Sequence, residues 1–97
     1  MDNQVYLSSL YDYYGTLLTN TQQAYFEDYY FNNLSLTEIS ENYSVSRNAI
    51  HKSLKDTETK LLLYESKLHL NEKANKIKDL IEEIDNKRIK EQIEELI

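Results

Sequence analysis

The sequence predicts an all-α protein: a small helical domain with a helix-turn-helix and a long fourth helix, followed by one or two C-terminal helices. Three observations predict it. The 97-residue chain has no proline and a single glycine, Gly15, so it lacks the turn residues that strand-rich domains use. Apolar residues recur three and four positions apart along most of the chain, the period of one helix face. Twice a Ser/Thr-x-x-Glu/Gln pattern stands just before such a run, the signature of a capped helix start.

The first helix is expected from about Gln4 to Leu18, with Leu7, Leu10, Tyr11, Tyr14, Leu17 and Leu18 on one stripe. Thr19-Asn20-Thr21-Gln22 reads as a capping box for a second helix to about Phe31, with Tyr25, Phe26, Tyr29 and Tyr30 on its buried side. Asn32-Asn33 ends it. Ser35-Leu36-Thr37-Glu38 is a second capping box and starts a short helix to about Asn42. Tyr43-Ser44-Val45 is a tight turn, and Ser46 caps a long helix to about Leu70. Along it Ile50, Leu54, Thr57, Leu61, Tyr64 and Leu68 form a heptad-like seam. Asn71 breaks the pattern. A further helix is expected over 72–84, and a last one carries Ile89, Ile93, Leu96 and Ile97. Residues 1–70 are expected to form the helix-turn-helix domain. Residues 71–97 are expected to form an amphipathic tail that packs on it or on a partner.

The informative segment is Leu34 to Lys55. A helix-turn-helix needs apolar residues on its first helix, here Ile39 and Tyr43, to meet Val45, Ala49 and Ile50 across the turn. It needs a small residue, Ser40, where the helices cross. The second helix then turns Arg47, Asn48, His51, Lys52 and Lys55 outward. On that face Arg47 and Asn48 suit base edges, and Lys52 and Lys55 suit phosphates. These five are the candidate nucleic-acid-binding residues; an ordinary solvated helix face is the competing reading.

Charge argues against a strong nucleic-acid binder. Net charge is −6 at pH 7, with six acidic residues and no Lys or Arg in residues 1–43. Residues 44–97 hold eleven of each sign. Affinity for a polyanion rests largely on neutralised phosphates, so contact is expected to be weak, salt-dependent or helped by a partner. Eight of the nine tyrosines also lie in residues 1–43, where they suit an aromatic core and rim with hydroxyls reaching water.

Residues 18–61 resemble region four of bacterial sigma factors, which carries a similar Leu-Ser-Leu-Thr-Glu-Ile and Val-Ser-Arg series. The chain as a whole resembles the YlxM family, small helix-turn-helix proteins of Gram-positive bacteria and mollicutes. The resemblance lies in Tyr11-Asp12-Tyr13-Tyr14-Gly15-Thr16-Leu17-Leu18-Thr19, Tyr29-Tyr30, Ser35-Leu36-Thr37-Glu38-Ile39, Val45-Ser46-Arg47 and Leu61 to Leu68. It is good over residues 5–70 and weak in the tail. Members sit beside the genes for the signal recognition particle GTPase. The resemblance therefore implies a regulatory or accessory role in that pathway, with the particle's protein or RNA as partner. A DNA-binding transcriptional regulator is the alternative. Two positions depart from the family pattern: Ser44 stands where glycine is frequent, and Ser40 where alanine is usual.

Other function classes are disfavoured. Without cysteine there is no disulfide and no thiolate zinc site. His51 and His69 stand in no ligand motif, and Glu82-Glu83 and Glu94-Glu95 read as solvated faces. Neither a phosphate loop nor an HExxH sequence is present. The chain is thus expected not to be an enzyme and to need no cofactor or metal. The first residues lack the basic and apolar regions of a signal peptide, and no stretch is apolar enough to span a bilayer, so a cytoplasmic protein is expected. The seam from Ile50 to Leu68 is expected to be covered by the C-terminal helices or by a second copy in a homodimer.

Overall fold

The computed structural model describes residues 3–97, and its described residues form six α-helices and one 3-10 turn. Helix α1 spans Asn3–Tyr14, and a 3-10 turn follows at Gly15–Leu17. Helices α2 (Asn20–Tyr30), α3 (Leu36–Tyr43) and α4 (Arg47–Leu68) complete the body. Helices α5 (Leu70–Ile81) and α6 (Lys87–Glu94) extend it into a rod of 54 × 25 × 25 Å. All-α architecture follows as the periodicity predicts.

The first helix is shorter than its stripe suggested. Regular α geometry stops at Tyr14, and Leu18 is extended at φ −87°. Leu18 turns under the body and is buried, whereas Leu17 is 55% exposed. A continuous helix would have kept both on one face. Gly15 is required here by close approach: a Cβ on it would stand 3.0 Å from the Tyr11 ring. That ring cannot retreat, because it stacks on Phe26 with centroids 4.5 Å apart.

Both predicted capping boxes form. The Thr19 hydroxyl accepts from the Gln22 N–H at 3.1 Å while the Gln22 side chain accepts from the Thr19 N–H at 3.1 Å. Ser35 and Glu38 exchange the same pair of bonds at 3.0 Å each. Each box satisfies donors that a helix start otherwise leaves bare. Between α2 and α3 the chain reverses through Asn33 at φ 55°, a conformation asparagine tolerates better than most residues.

Helix α4 is the spine. Its buried strip is Ile50, Leu54, Thr57, Leu61 and Glu65, and α1, α2, α3 and α5 all pack against it. Leu61 joins Leu7, Leu10, Tyr14, Leu18 and Phe26 in one apolar cluster. Ile50 and Leu54 join Ile39 in a second. The seam as far as Leu61 is therefore covered within the monomer. Tyr64 still packs on the first cluster, but the expected seam ends there: Leu68 is 46% exposed, and the buried residue is Glu65, at 7%.

Glu65 is buried because it ends α4 and begins α5. It accepts a hydrogen bond from the Tyr14 hydroxyl of α1. Its two oxygens also accept from the N–H groups of Asn71 (3.1 Å) and Glu72 (3.0 Å). The Tyr14 hydroxyl itself accepts from the Leu70 N–H at 3.1 Å. A glutamate of the preceding helix thus caps the first turn of α5, where a negative charge also suits the helix dipole. This places the break at His69, φ 55°, two residues before the expected Asn71. At its other end α5 stops at Ile81 and not at Ile84, because the chain tightens with Glu83 N–H on the Leu80 carbonyl and Ile84 N–H on that of Ile81.

Tyrosine–carboxylate pairs recur through the body, two of them on acids of the first half, Glu27 and Asp28, and two on acids of α4. Besides Tyr14–Glu65, the Tyr11 hydroxyl donates to Glu27, Tyr30 to Glu58 and Tyr43 to Asp28. Tyr14 is buried and Tyr6, Tyr11, Tyr13, Tyr25, Tyr30 and Tyr64 are half-buried. Tyr29, expected on the buried side of α2, is exposed. Burial first, then the neighbouring carboxylate, pushes the hydroxyls of Tyr11, Tyr14, Tyr30 and Tyr43 above the ordinary tyrosine value near 10.

Two outcomes follow. Replacing Glu65 by Leu leaves the Tyr14 hydroxyl and two backbone N–H groups without an acceptor, and should cost about 3 kcal/mol, read as a lower urea midpoint. Tyr14→Phe should cost about 1 kcal/mol. The tyrosine shifts have a definite sign: folded pKa values above unfolded ones stabilise fully below pH ~10 and are lost as pH rises beyond it. Absorbance at 295 nm should therefore show a set of tyrosines ionising later than free tyrosine, together with the loss of helical circular dichroism.

Candidate nucleic-acid interface

The helix-turn-helix consists of α3, the turn at Ser44-Val45-Ser46 and the start of α4. The turn is a left-handed C-cap. Ser44 adopts φ 55° and ψ 42°, and the Val45 N–H reaches back to the Ser40 carbonyl at 3.1 Å. Ser46 then starts α4 by accepting from the Ala49 N–H at 3.0 Å. Ser40 is half-buried at the crossing, and its hydroxyl bonds the Thr37 carbonyl at 2.7 Å.

The contacts that hold the two helices together differ in part from the expected set. Ile39 and Ile50 meet as expected, but Leu54 completes the buried cluster, with Tyr25, Leu34 and Leu36 packed on it. Val45 and Ala49 are exposed. Tyr43 is 43% exposed and leans edge-on against Tyr25 with centroids 5.0 Å apart. The left-handed turn reverses the chain within Ser44, so Val45 lies on the outside of the corner.

Arg47, Asn48, His51, Lys52 and Lys55 are all exposed. They lie along the first turns of α4. Lys55 stands 3.7 Å from Glu58. The other four have no hydrogen bond or ion pair from their side chains among the described residues. His51 and Lys55 also border a cleft of about 240 Å³ between α1, α2, α3 and α4, with Tyr29, Tyr30 and Leu36 on its walls. Sequence reasoning did not find this cleft, because its walls come from four separate helices.

Electrostatically the unit is modest. Residues 36–58 carry Arg47, Lys52 and Lys55 against Glu38, Glu41, Asp56 and Glu58. A local hydrogen-bonding surface is present without a broad positive field, so long-range attraction of a polyanion is small. Among the described residues no three His, Asp or Glu side chains converge on a metal-sized site, and no helix is long and apolar enough to cross a membrane.

The strain at the turn is testable. A left-handed residue with a Cβ costs about 1 kcal/mol, so Ser44→Gly should raise thermal stability by about 4–8 °C without moving the α4 face. An unchanged or lower melting temperature would show that the serine hydroxyl offsets the strain.

Comparison with known proteins agrees with this architecture. The model of a family described as "Putative helix-turn-helix protein, YlxM / p13 like" matches residues 1–97. A UPF0122 protein of Malacoplasma penetrans is 42% identical over 87 residues, covering 90% of this chain and 81% of the relative. One from Caldanaerobacter subterraneus is 43% identical over 83 residues, covering 86% and 71%. One from Oceanobacillus iheyensis is 39% identical over 100 residues, covering 99% and 95%.

Proposed function

The chain belongs to the YlxM / p13-like helix-turn-helix family, and from that premise we propose that it is a non-enzymatic, cytoplasmic accessory protein of the signal recognition particle pathway that touches the particle's RNA through the start of α4. The pathway is what the family resemblance implies. The observation that carries the contact is the exposed row Arg47, Asn48, His51 and Lys52, whose side chains are left unpaired on a braced helix start. In this reading residues 1–70 carry the interface, and residues 71–97 form a helical appendage.

The ligand must be met at short range. Three cations face four carboxylates within the unit, so binding is local, weak and screened by salt. A structured RNA already held by a protein partner suits such contact better than free promoter DNA, which must be captured from bulk solution.

The test is a titration with the particle's RNA and with duplex DNA at low and moderate salt. Two phosphates neutralised by Lys52 and Lys55 give a log–log slope of about −1.5, hence roughly 8-fold weaker binding when salt rises fourfold. Lys52→Ala should bring the slope to about −0.8, and Arg47→Ala should weaken binding with the slope little changed, while the fold stays intact. Binding to neither nucleic acid at low salt would remove the interface. A preference for duplex DNA, with capture of RNA polymerase and not of the particle's GTPase, would make the protein a transcriptional regulator.

A further inference from the structure

Tyr29 stands apart from the other tyrosines of α2. It is 37% exposed. Among the described residues its hydroxyl has no hydrogen bond, and its only ring contact is edge-to-face, with Tyr30 at 5.1 Å. It forms one wall of the cleft of about 240 Å³ between α1, α2, α3 and α4. Leu7 and Leu54, both buried, line the apolar side of that cleft. Clefts that hold drug-sized ligands run to roughly 300–1,000 Å³, so this one admits a single ring system and not a folded segment of chain.

The polar groups of the cleft define the ring. Glu58 lines it and is only partly exposed. One of its oxygens accepts from the Tyr30 hydroxyl at 2.9 Å. The other is 3.7 Å from the Lys55 ammonium, beyond hydrogen-bond length. A carboxylate offers about four acceptor positions, so Glu58 keeps room for a ligand's donors. Lys55 and His51 border the same cleft, and both belong to the exposed row at the start of α4. An aromatic amino-acid side chain has no phosphate for these cations. A nucleotide has a π face for Tyr29, a base edge for Glu58 and a phosphate for Lys55. Unpaired RNA bases are held in this manner, stacked on aromatic rings and hydrogen-bonded along their Watson–Crick edges. Guanine alone among the four bases carries two adjacent donors on that edge, N1–H and N2–H, which match a carboxylate.

We propose that this cleft takes one unpaired guanine of an RNA loop, with its base against Tyr29, its Watson–Crick donors on Glu58 and its phosphate on Lys55 and His51. This selectivity rests on the reading of α4 as an RNA contact: the row from Arg47 to Lys52 holds the RNA, and the cleft chooses the loop base. A free guanine nucleotide shares the chemistry, but with one rim lysine and no contact to the rest of the row it should bind far more weakly than the loop.

Fluorescence anisotropy at low salt provides the test. The probes are a labelled RNA hairpin with one guanosine in a loop of uridines, the same hairpin with adenosine or inosine at that position, and a fully paired RNA duplex. The guanosine hairpin should bind about tenfold more tightly than the adenosine hairpin, with inosine, which lacks the N2 amino group, between them. Tyr29→Ala should weaken binding of the guanosine hairpin by about tenfold, while Tyr29→Phe, which keeps the ring, should bind as the native chain does. Glu58→Gln, which keeps an acceptor for Tyr30, should erase the preference for guanosine. Circular dichroism of each variant confirms folding, and if Glu58→Gln loses helix the base series on the native chain still decides. Displacement of the hairpin by an equal concentration of guanosine monophosphate would make the free nucleotide the ligand and overturn the loop assignment. Equal binding of every hairpin and the duplex, unchanged by Tyr29→Ala but weakened by Lys52→Ala, overturns the cleft proposal and leaves the RNA contact of α4 standing. Binding of none of these RNAs overturns both.

Discussion

One strip of α4 places every other element of the body. Ile50 and Leu54 hold α3, Leu61 holds α1 and α2, and Glu65 holds the start of α5. A single rigid helix therefore spans the molecule from its candidate binding surface to its C-terminal hairpin. The strip changes chemistry along its length. Its first part is apolar and gains from removing side chains from water, at about 2 kcal/mol for each large aliphatic group buried. Its last position is a carboxylate, tolerated inside because donors from α1 and α5 surround it. Among the described residues no buried side-chain polar atom lacks a hydrogen-bond partner, as a buried charge requires.

The same economy explains how an acidic half-chain packs around aromatic rings. Carboxylates of α2 and α4 accept from tyrosine hydroxyls, so Glu27, Asp28 and Glu58 each bind a ring that also contributes apolar area. Phe26 lies between Tyr11 and Tyr30, with centroids 4.5 and 4.3 Å away. Tyrosine suits this position because one side chain fills an interior and satisfies a charge at its edge. The abundance of tyrosine in residues 1–43 is thus structural in origin, and only Tyr29 and Tyr43 among those eight are left exposed.

The candidate interface and the C-terminal hairpin are solved by opposite means. At the start of α4 the cap, the left-handed Ser44 and the Ile39–Ile50–Leu54 cluster hold the backbone rigid, so four polar side chains can stand unpaired in water. Helix α6 packs against α5 with no buried residue of its own, and its charges are set against its own dipole. The first arrangement presents a prepared surface. The second leaves the apolar side chains Ile89 and Leu96 in water.

Local features were legible in the sequence, since neighbouring residues create them. The helical class, both capping boxes, the Ser46 cap and the five outward residues from Arg47 to Lys55 depend on spacings of a few residues. Helix ends were less legible, because what stops a helix is often distant. Tyr14 and Glu65 lie 51 positions apart, and no local pattern joins them. The one hint was a glutamate four residues after Leu61, on the buried side of a seam that otherwise read through Tyr64 and Leu68. The sequence by itself determined the helices, their caps and the existence of the turn, because backbone hydrogen bonding and 3.6-residue periodicity act within single elements. Only the tertiary structure decided where α4 yields to α5, which tyrosines are inside and which apolar residues remain uncovered, because a buried charge and its donors must be brought together from separate helices before any of them is stable.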